Sequence, residues 1–220
     1  MILPLALIAG QTDAAPKTIT IPYKPVAGET ATYTLEGTVP FQGGEAEFKG
    51  EVEVRTLSVA RRGGAKFRFT DHAVAITVGG KESSMPDPKP YTIEVDRLGF
   101  AKKDPKVTAF SGLGLLLLGV PTGPITINEE FEFGIDGFLA SASDRHPARW
   151  VSMRDGGPAI LIQVFHGEEH MGTLYKNLDP TNGRLILGQS TVWVTPGKPS
   201  EGKFYSELKL VSVTRAPDEN

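Results

Sequence analysis

Apolar and polar residues alternate with a period of two over most of this chain. In the segment FKGEVEVRTLSV, Phe48, Val52 and Val54 share one parity, and Glu51 and Glu53 share the other. This pattern is typical of a half-buried antiparallel strand, because successive side chains of a strand point to opposite faces of the sheet. Comparable runs recur along the chain, so we expect a mainly β fold of about ten to twelve antiparallel strands.

Clusters of turn-forming residues separate these runs. One Gly-Gly pair lies at the end of segment 61–64 and another lies at residues 79–80. Both pairs favour the positive φ angles of tight hairpins. The segment LDPTNGRLILG, at residues 178–188, is a strong turn signal with Asp-Pro before Asn-Gly. Residues 159–165, AILIQVF, are almost entirely apolar, which predicts a central strand buried on both faces.

Residues 108–124, TAFSGLGLLLLGVPTGP, form an apolar stretch without alternation and without a charged residue. Its uninterrupted part, residues 113–120, is too short to cross a bilayer and short for an independent helix. We therefore expect a short helical segment near residues 109–118 that crosses from one group of strands to the next. No segment of the sequence reaches the length of a transmembrane span.

The strands on the two sides of this crossover resemble each other. GETATYTLEG at residues 28–37 corresponds to NEEFEFGIDG at 128–137, and ARRGGAKFRF at 60–69 corresponds to MRDGGPAILI at 153–162. We interpret this similarity as a duplicated β-meander, and chance similarity of turn residues is the alternative.

The chain is accordingly predicted to form a single domain with a meander at residues 16–107, the crossover at 108–124 and a second meander at 125–214. Residues 215–220 are polar and are expected to fray. The two meanders would form one strongly twisted antiparallel sheet or half-barrel, and a β-sandwich is the alternative.

Residues 1–15, MILPLALIAGQTDAA, have the pattern of a signal peptide. An apolar core at residues 2–10 precedes small residues suited to cleavage. The segment lacks a basic start, and Gln11 stands where a lipoprotein would carry its lipid-anchored cysteine. We expect export to the periplasm or the extracellular space; an ordinary hydrophobic N-terminus is the alternative.

Composition excludes several classes of function. The chain of 220 residues contains no cysteine, so it can form neither a disulfide framework nor a zinc–cysteine site. Its net charge is −3 with both signs interspersed, which gives no electrostatic basis for binding nucleic acid. We expect no cofactor.

One segment matches a catalytic motif, the H-x-x-E-H pattern of inverted zinc peptidases. His166, Glu169 and His170 supply its three defined positions. Metal binding would need both histidines on one face of a helix, whereas this segment follows an apolar strand and contains Gly167, a poor helix former. We interpret it as a hairpin loop and retain a metal-dependent hydrolase only as a remote alternative.

The side chains suited to an apolar ligand are found in two places. The crossover provides a row of leucines beside an aromatic residue, and two tryptophans could line the same surface: Phe110, Leu115, Leu116, Leu117, Leu118, Trp150 and Trp193. Two functions follow from this. The first is a non-enzymatic exported module that binds a lipid or another apolar ligand on the concave face of the sheet. The alternative is a structural or protein-interaction component of the cell envelope or the extracellular space.

Three segments carry a resemblance to a known group of proteins. They are residues 25–29 with Tyr33 after them, the mid-chain segment 115–133, LLLLGVPTGPITINEEFEF, and residues 178–185, LDPTNGRL. Together they resemble exported bacterial β proteins of unassigned function, some of which are similar to the lipoprotein-localisation carriers. The resemblance implies a curved antiparallel half-barrel with an apolar concave face and implies no catalytic residue. The absence of a lipid-anchor cysteine departs from the lipoprotein members.

Overall fold

The computed structural model describes residues 18–41, 44–84, 89–102, 119–121, 123–127, 129–132, 147–152, 158–166, 169–194 and 202–215. All regular secondary structure in these ranges is β, which confirms the prediction of a mainly β fold. The thirteen strands are β1 (Thr18–Ile19), β2 (Glu29–Phe41), β3 (Gly44–Val59), β4 (Ala65–Val78), β5 (Lys81–Ser84), β6 (Tyr91–Val95), β7 (Ile125–Thr126), β8 (Glu130–Glu132), β9 (Pro147–Ser152), β10 (Pro158–His166), β11 (Glu169–Leu178), β12 (Leu185–Val194) and β13 (Gly202–Arg215).

Eleven of these strands form one antiparallel sheet. Ten lie in the order β5-β4-β3-β2-β13-β12-β11-β10-β9-β8, and β6 pairs with β4 outside this path. Strands β1 and β7 form a separate two-stranded ladder. Among the described strands, β5 and β8 stand at opposite ends and do not pair, so the sheet is open and does not close into a barrel. One large sheet and a small ladder match the expected open sheet better than the two packed sheets of a sandwich.

The order of the strands places two meanders side by side. Strands β2 to β6 form one and β8 to β13 form the other, and the antiparallel pairing of β13 with β2 joins them. Of the two similar segments, residues 60–69 belong to the β3–β4 hairpin, and the described residues 158–162 lie in β10, which pairs antiparallel with β9. The duplication itself stays a prediction.

The two faces of the sheet differ as the alternation requires. On β2, Ala31, Tyr33 and Leu35 are buried, while Thr34 and Glu36 between and beyond them are exposed. The buried positions of neighbouring strands align with these, and we call this side of the sheet the core face. It carries a continuous apolar cluster: Ala31, Tyr33, Leu35, Phe48, Val52, Ala65, Phe69, Ile93, Val95, Ile160, Ile162, Leu174, Leu178, Leu185 and Leu208.

A bulge in β4 keeps its apolar residues on the core face. Phe69 and Val74 have opposite parity, yet both are buried. The pairing of β4 with β3 shifts between Lys49 and Glu51, where β4 contains one more residue than its partner. Because an extra residue reverses the alternation, the second half of β4 still faces the core.

Segments outside the large sheet cover part of the core face. Ile21, Val120 and Ile125 belong to the same apolar cluster, and the amide of Val120 donates to the carbonyl of Leu98 at 2.8 Å. Gly119 allows this contact, because a Cβ atom there would clash with the Leu98 carbonyl. The end of the predicted crossover is therefore packed against the sheet. Residues 108–118, including the predicted helical segment, lie outside the described residues.

Strand β10 has the burial expected of an apolar central strand. Ala159, Ile160 and Ile162 are fully buried, and Ala159 has the opposite parity to the two isoleucines. Both faces are therefore covered at this end of the strand, although Gln163 is exposed. In the sheet β10 lies between β11 and β9.

No helix in the described ranges is both long enough and apolar enough to cross a membrane.

Candidate functional site

A cavity lies at one end of the core face, between the sheet and two loops. Its volume is about 90 Å³, counted as the space in which the centre of a water molecule fits. A site needs roughly 10–15 Å³ on this basis to hold one water molecule, so the cavity has room for a group of several non-hydrogen atoms. The lining residues are Tyr23, Lys24, Pro25, Glu29, Ala31, Tyr33, Val54, Thr56, Phe67, Phe69, Val95, Asn182, Gly183, Arg184 and Leu185.

The wall formed by the sheet is apolar because the register of three strands aligns buried side chains. Ala31 on β2 is opposite Val54 on β3, and Val54 is opposite Phe69 on β4. The neighbouring pair on the same face joins Thr56 to Phe67. Ala31 has the smallest side chain of these residues, and it lines the cavity with them.

The turn between β11 and β12 forms the opposite wall. Oδ1 of Asp179 accepts hydrogen bonds from the amide and the hydroxyl of Thr181 at 2.8 and 2.6 Å. Oδ2 of Asp179 accepts from the side-chain amide of Asn182 at 2.9 Å, and Oδ1 of Asn182 accepts from the amide of Arg184 at 2.8 Å. Burial alone would raise the pKa of Asp179, but these hydrogen bonds outweigh it and the pKa is lowered. The predicted turn is therefore an internally bonded unit that fixes the position of Arg184.

This turn is attached to the segment that precedes β2. The amide of Lys24 donates to the carbonyl of Asn182 at 2.8 Å. Gly183 has a φ of 77° and lies so close to the Pro22 carbonyl that a Cβ atom could not be placed there. Glycine meets both requirements, since it has no side chain and adopts positive φ readily. The two loops therefore form one wall of the cavity.

An ion pair joins this wall to the sheet. Nη2 of Arg184 donates to Oε1 of Glu29, the first residue of β2. The side chains of Arg184 and Glu29 are only 19% and 16% exposed. A pair this poorly hydrated is costly to separate, because either charge alone would be left with little solvent. Its chemical effect is to place a guanidinium group and a carboxylate together at the polar side of the cavity.

Two tyrosines also line the cavity, Tyr23 and Tyr33. Burial raises the pKa of Tyr33, and the charge of Arg184 only partly opposes this effect. Burial also raises the pKa of Tyr23, with a further contribution from the negative charge of Asp96. Both phenols therefore stay protonated at physiological pH and can donate a hydrogen bond.

A buried lysine lies farther along the core face, on β11. Lys176 is 2% exposed, and its cross-strand neighbours are Ile160 and Gly188. Its Nζ donates to the carbonyl of Gly119 at 3.4 Å, at the end of the apolar stretch. Burial lowers the pKa of Lys176 to about 7. Perturbed ionisable groups often mark functional sites, but Lys176 does not line the cavity.

A half-buried carboxyl group also lies on the core face. Asp71 is paired with Val52 on β3, and burial raises the pKa of Asp71 against the opposing charge of His72. The ring of Tyr91 stacks on Phe69, with centroids 5.3 Å apart. The Tyr91 hydroxyl is buried and has no hydrogen-bond partner in the described part of the chain.

The polar face of the sheet has a separate cleft of about 300 Å³. Its lining includes Gly37 and exposed charged residues such as Glu36, Glu47 and Lys49. The ammonium group of Lys49 lies 2.9 Å from the carboxylate of Glu82. The size of this cleft suits a ligand, but its charged, solvent-exposed lining does not suit an apolar one.

The ligand-binding residues predicted from sequence are not part of the described cavity. Phe110 and Leu115 to Leu118 lie outside the described residues. Trp150 lies in β9 opposite Ile160, and Trp193 lies in β12 opposite Lys203; the structure describes the backbone of both tryptophans but not their side chains. Their role in binding stays a prediction.

The motif His166–His170 connects β10 and β11. His166 pairs with Glu169 and Phe165 pairs with His170 in an antiparallel hairpin, which confirms the predicted hairpin. The two histidines are therefore not on the helix that the zinc-peptidase pattern requires. In the part of the chain that the structure describes, no three His, Asp or Glu side chains form a group that could hold a metal ion.

Sequence reasoning did not identify Glu29 and Arg184 as site residues, although they are central to the cavity. They are 155 positions apart, and neither belongs to a catalytic motif. A signal was present, however. Two of the three segments that carried the resemblance, residues 25–29 with Tyr33 and residues 178–185, meet in space at this cavity.

Comparisons with known proteins add little. No protein-family model and no curated protein matches the chain. Among solved structures, the chain is similar to DynF from the dynemicin biosynthesis pathway of Micromonospora chersina, at 9% sequence identity and a TM-score of 0.23. The match covers 95% of this chain and 91% of DynF. A TM-score this low supports no conclusion about fold or function.

Proposed function

We propose that this protein is a non-enzymatic binding module for a small apolar or amphiphilic molecule, and that the cavity beside Arg184 is its site. The observation that carries the proposal is the mixed lining of the cavity. Phe67, Phe69 and Val54 on the sheet supply an apolar part, and the poorly exposed Glu29–Arg184 pair supplies a charged part. Ligand sites typically combine a mostly apolar lining with a few fixed polar groups.

The size of the cavity limits what can bind. Its volume of about 90 Å³ is well below the roughly 300 Å³ at which sites for drug-sized ligands begin. The cavity therefore suits a small molecule or the end of a longer chain. A lipid would insert only one end here, and the rest of the molecule would lie outside the described cavity.

The supporting structure is rigid enough for such a site. The sheet positions of Ala31 and Val54 are fixed by pairing with both neighbouring strands. The turn that carries Arg184 is fixed by its own hydrogen bonds to Asp179 and Asn182. A site that is formed before the ligand arrives loses less conformational entropy on binding.

A cavity-filling variant tests the proposal. Ala31→Val places two additional methyl groups towards the cavity, where Ala31 is 7% exposed. We expect it to weaken binding of short straight-chain alcohols such as hexanol at least tenfold. Stability should be retained or should rise by up to about 1.5 kcal/mol, since each buried methylene contributes about 0.8 kcal/mol.

Thr32→Val is the matched control, because Thr32 is the next residue on β2 and points to the other face. It should leave binding unchanged. Native mass spectrometry and organic extraction of the purified protein provide an independent readout of any carried ligand. Absence of a bound molecule, together with no saturable binding of any apolar probe, would refute the proposed function.

Export is proposed together with this function. The apolar core of residues 2–10 and the small residues after it support a cleaved signal peptide. Fusion of residues 1–15 to mature alkaline phosphatase in a bacterial host tests it, since the reporter needs disulfides that form only outside the cytoplasm. Phosphatase activity equal to that of a leaderless fusion would contradict export.

A further inference from the structure

Charged groups at the polar side of the cavity indicate the class of ligand. The lining contains two cations, Lys24 and Arg184, and one carboxylate, Glu29. Lys24 is exposed and lies at the rim, whereas Phe69 on the apolar wall is 1% exposed. A bound amphiphile would therefore place its apolar end against the sheet and its head group at the rim.

Two carboxylates outside the lining are engaged in local hydrogen bonds. Asp179 accepts three hydrogen bonds, two of them from Thr181, within its own turn. Asp96, which lies near Tyr23, accepts from the amides of Leu98 and Phe100 at 2.8 and 3.0 Å. Neither aspartate lines the cavity. A head group at the rim would therefore meet the positive charges of the lining first.

The uncharged polar groups of the lining are also suited to an anion. The hydroxyls of Tyr23 and Tyr33 stay protonated because burial raises the pKa of both. The guanidinium of Arg184 contacts Glu29 through Nη2, and its fork has further N–H groups that can bind a second oxyanion. Arginine pairs with carboxylates and phosphates are frequently bidentate, so the guanidinium of Arg184 suits either head group.

We infer that the ligand of this site carries a single anionic head group, a carboxylate or a phosphate, which Lys24 and Arg184 hold at the rim. This inference rests on the proposed binding function and adds the chemistry of the head group. The apolar wall would accept the adjoining part of a short hydrocarbon chain.

A series of six-carbon probes tests the head group on the full chain. Calorimetry or ligand-observed NMR would compare hexanoate, hexyl phosphate, hexanol and hexylamine at low ionic strength. We expect one of the two anions to bind about tenfold more tightly than hexanol, and hexylamine to bind most weakly. The comparison of hexanoate with hexyl phosphate distinguishes the two sources of negative charge.

Substitutions assign the preference to the named cations. Lys24→Gln should weaken binding of the preferred anion about two- to fivefold, the range for an exposed ion pair, without changing binding of hexanol. The double variant Glu29→Gln/Arg184→Gln removes both members of the ion pair and should reduce the preference for an anion to the two- to fivefold that Lys24 provides. Lys66→Gln is the matched control, since Lys66 is exposed and outside the cavity.

The outcomes separate the two proposals. If hexanol or hexylamine binds as tightly as the anions, the head-group inference is wrong and the binding function stands. If the anions bind best but Lys24→Gln and the double variant have no effect, the assignment to this cavity is wrong. If no probe binds at millimolar concentration, both proposals fail. A Lys24→Gln chain that unfolds at the same urea concentration as the native chain shows that a loss of affinity is not a loss of structure.

Discussion

Replacement of Lys176 by methionine should stabilise the protein, and the gain should disappear as the pH rises. Lys176 is 2% exposed, and burial lowers its pKa from 10.5 to about 7. In the unfolded chain the amine keeps its ordinary pKa, so unfolding takes up a proton at intermediate pH. Methionine has a similar volume and no charge, so it removes the penalty of burying the amine and largely keeps the packing.

The magnitude follows from the difference of about 3.5 between the two pKa values. At 1.36 kcal/mol per pKa unit this corresponds to about 5 kcal/mol, an order-of-magnitude figure for a group in a relaxed interior. The variant also loses the hydrogen bond from Lys176 to the carbonyl of Gly119. Since such a bond contributes about 1 kcal/mol and Lys176 has a further interaction beside it, the net gain below pH 7 should be at most about 4 kcal/mol.

The dependence on pH has a definite sign. Below pH 7 the amine is protonated in both states, so the native protein carries the full penalty. Between pH 7 and 10.5 the unfolded chain binds more protons than the folded chain, so native stability rises with pH by up to about 1.4 kcal/mol per pH unit. The native protein and Lys176→Met should therefore have nearly equal stability near pH 10.

Urea unfolding followed by tryptophan fluorescence at pH 6, 7, 8, 9 and 10 measures this difference. Other titrating groups cancel, because they are shared by both chains. Lys66→Met is the control: it removes an exposed amine from β4 and should show little change at any pH. A difference between native and Lys176→Met chains that stays constant with pH, or a variant that is less stable at pH 6, would refute the reasoning.

Two other substitutions test the packing around the cavity and the sheet. Arg184→Met leaves Glu29 without its partner and should lower the free energy of unfolding by about 2 kcal/mol, less than the roughly 3–5 kcal/mol of a fully buried pair. Addition of Glu29→Gln to this variant should restore at least half of the loss, as measured by urea unfolding. If the double variant is no more stable than Arg184→Met, the pair does not contribute as argued. Gly37→Ala introduces a Cβ atom against the Tyr205 carbonyl and 2.5 Å from Cζ of Phe48. It should lower the melting temperature by the equivalent of about 1–3 kcal/mol, and an unchanged melting temperature would contradict the close packing there.

The sequence was sufficient to predict the fold class because alternation is a local property. Each half-buried strand shows its period of two within a few residues, and the Gly79–Gly80 turn shows its positive φ angles through composition alone. The order of the strands was harder to predict. The pairing of β13 with β2 joins residues such as Leu208 and Leu35, and no local pattern identifies partners so distant in the chain.

The bulge in β4 shows a second limit. Phe69 and Val74 have opposite parity, and a strict alternation would place them on opposite faces. The extra residue that reverses the pattern lies opposite Gly50, between Lys49 and Glu51. Gly50 packs against the backbone of His72, and a Cβ atom there would lie 3.1 Å from its carbonyl oxygen. A glycine inside a strand is a recognised sign of such an irregularity, but it does not say which strand gains the residue.

The predicted and observed sites differ for a physical reason. Sequence favoured the leucines at residues 115–118 because apolar runs are visible in one dimension. The cavity depends on small and charged residues, Ala31, Glu29 and Arg184, whose importance comes from what they face. Lys176 is a similar case. Nothing in its own segment, TLYKNL at residues 173–178, indicates that its amine is buried; the burial follows from pairing with the apolar strand β10.

The three segments that carried the sequence resemblance meet at this end of the fold. Glu29 and Tyr33 come from the first, Val120 from the second and Gly183 from the third, and a Cβ atom on Gly183 would lie 3.0 Å from Cγ1 of Val120. Gly183 therefore has contacts on two sides, with Pro22 and with Val120. Because the turn that carries Arg184 is packed against the end of the apolar stretch, a displacement of Val120 would alter the cavity wall. Val120 and the cavity wall belong to one packed unit, so a ligand that fills the cavity is expected also to stabilise the packing of Val120 in the core.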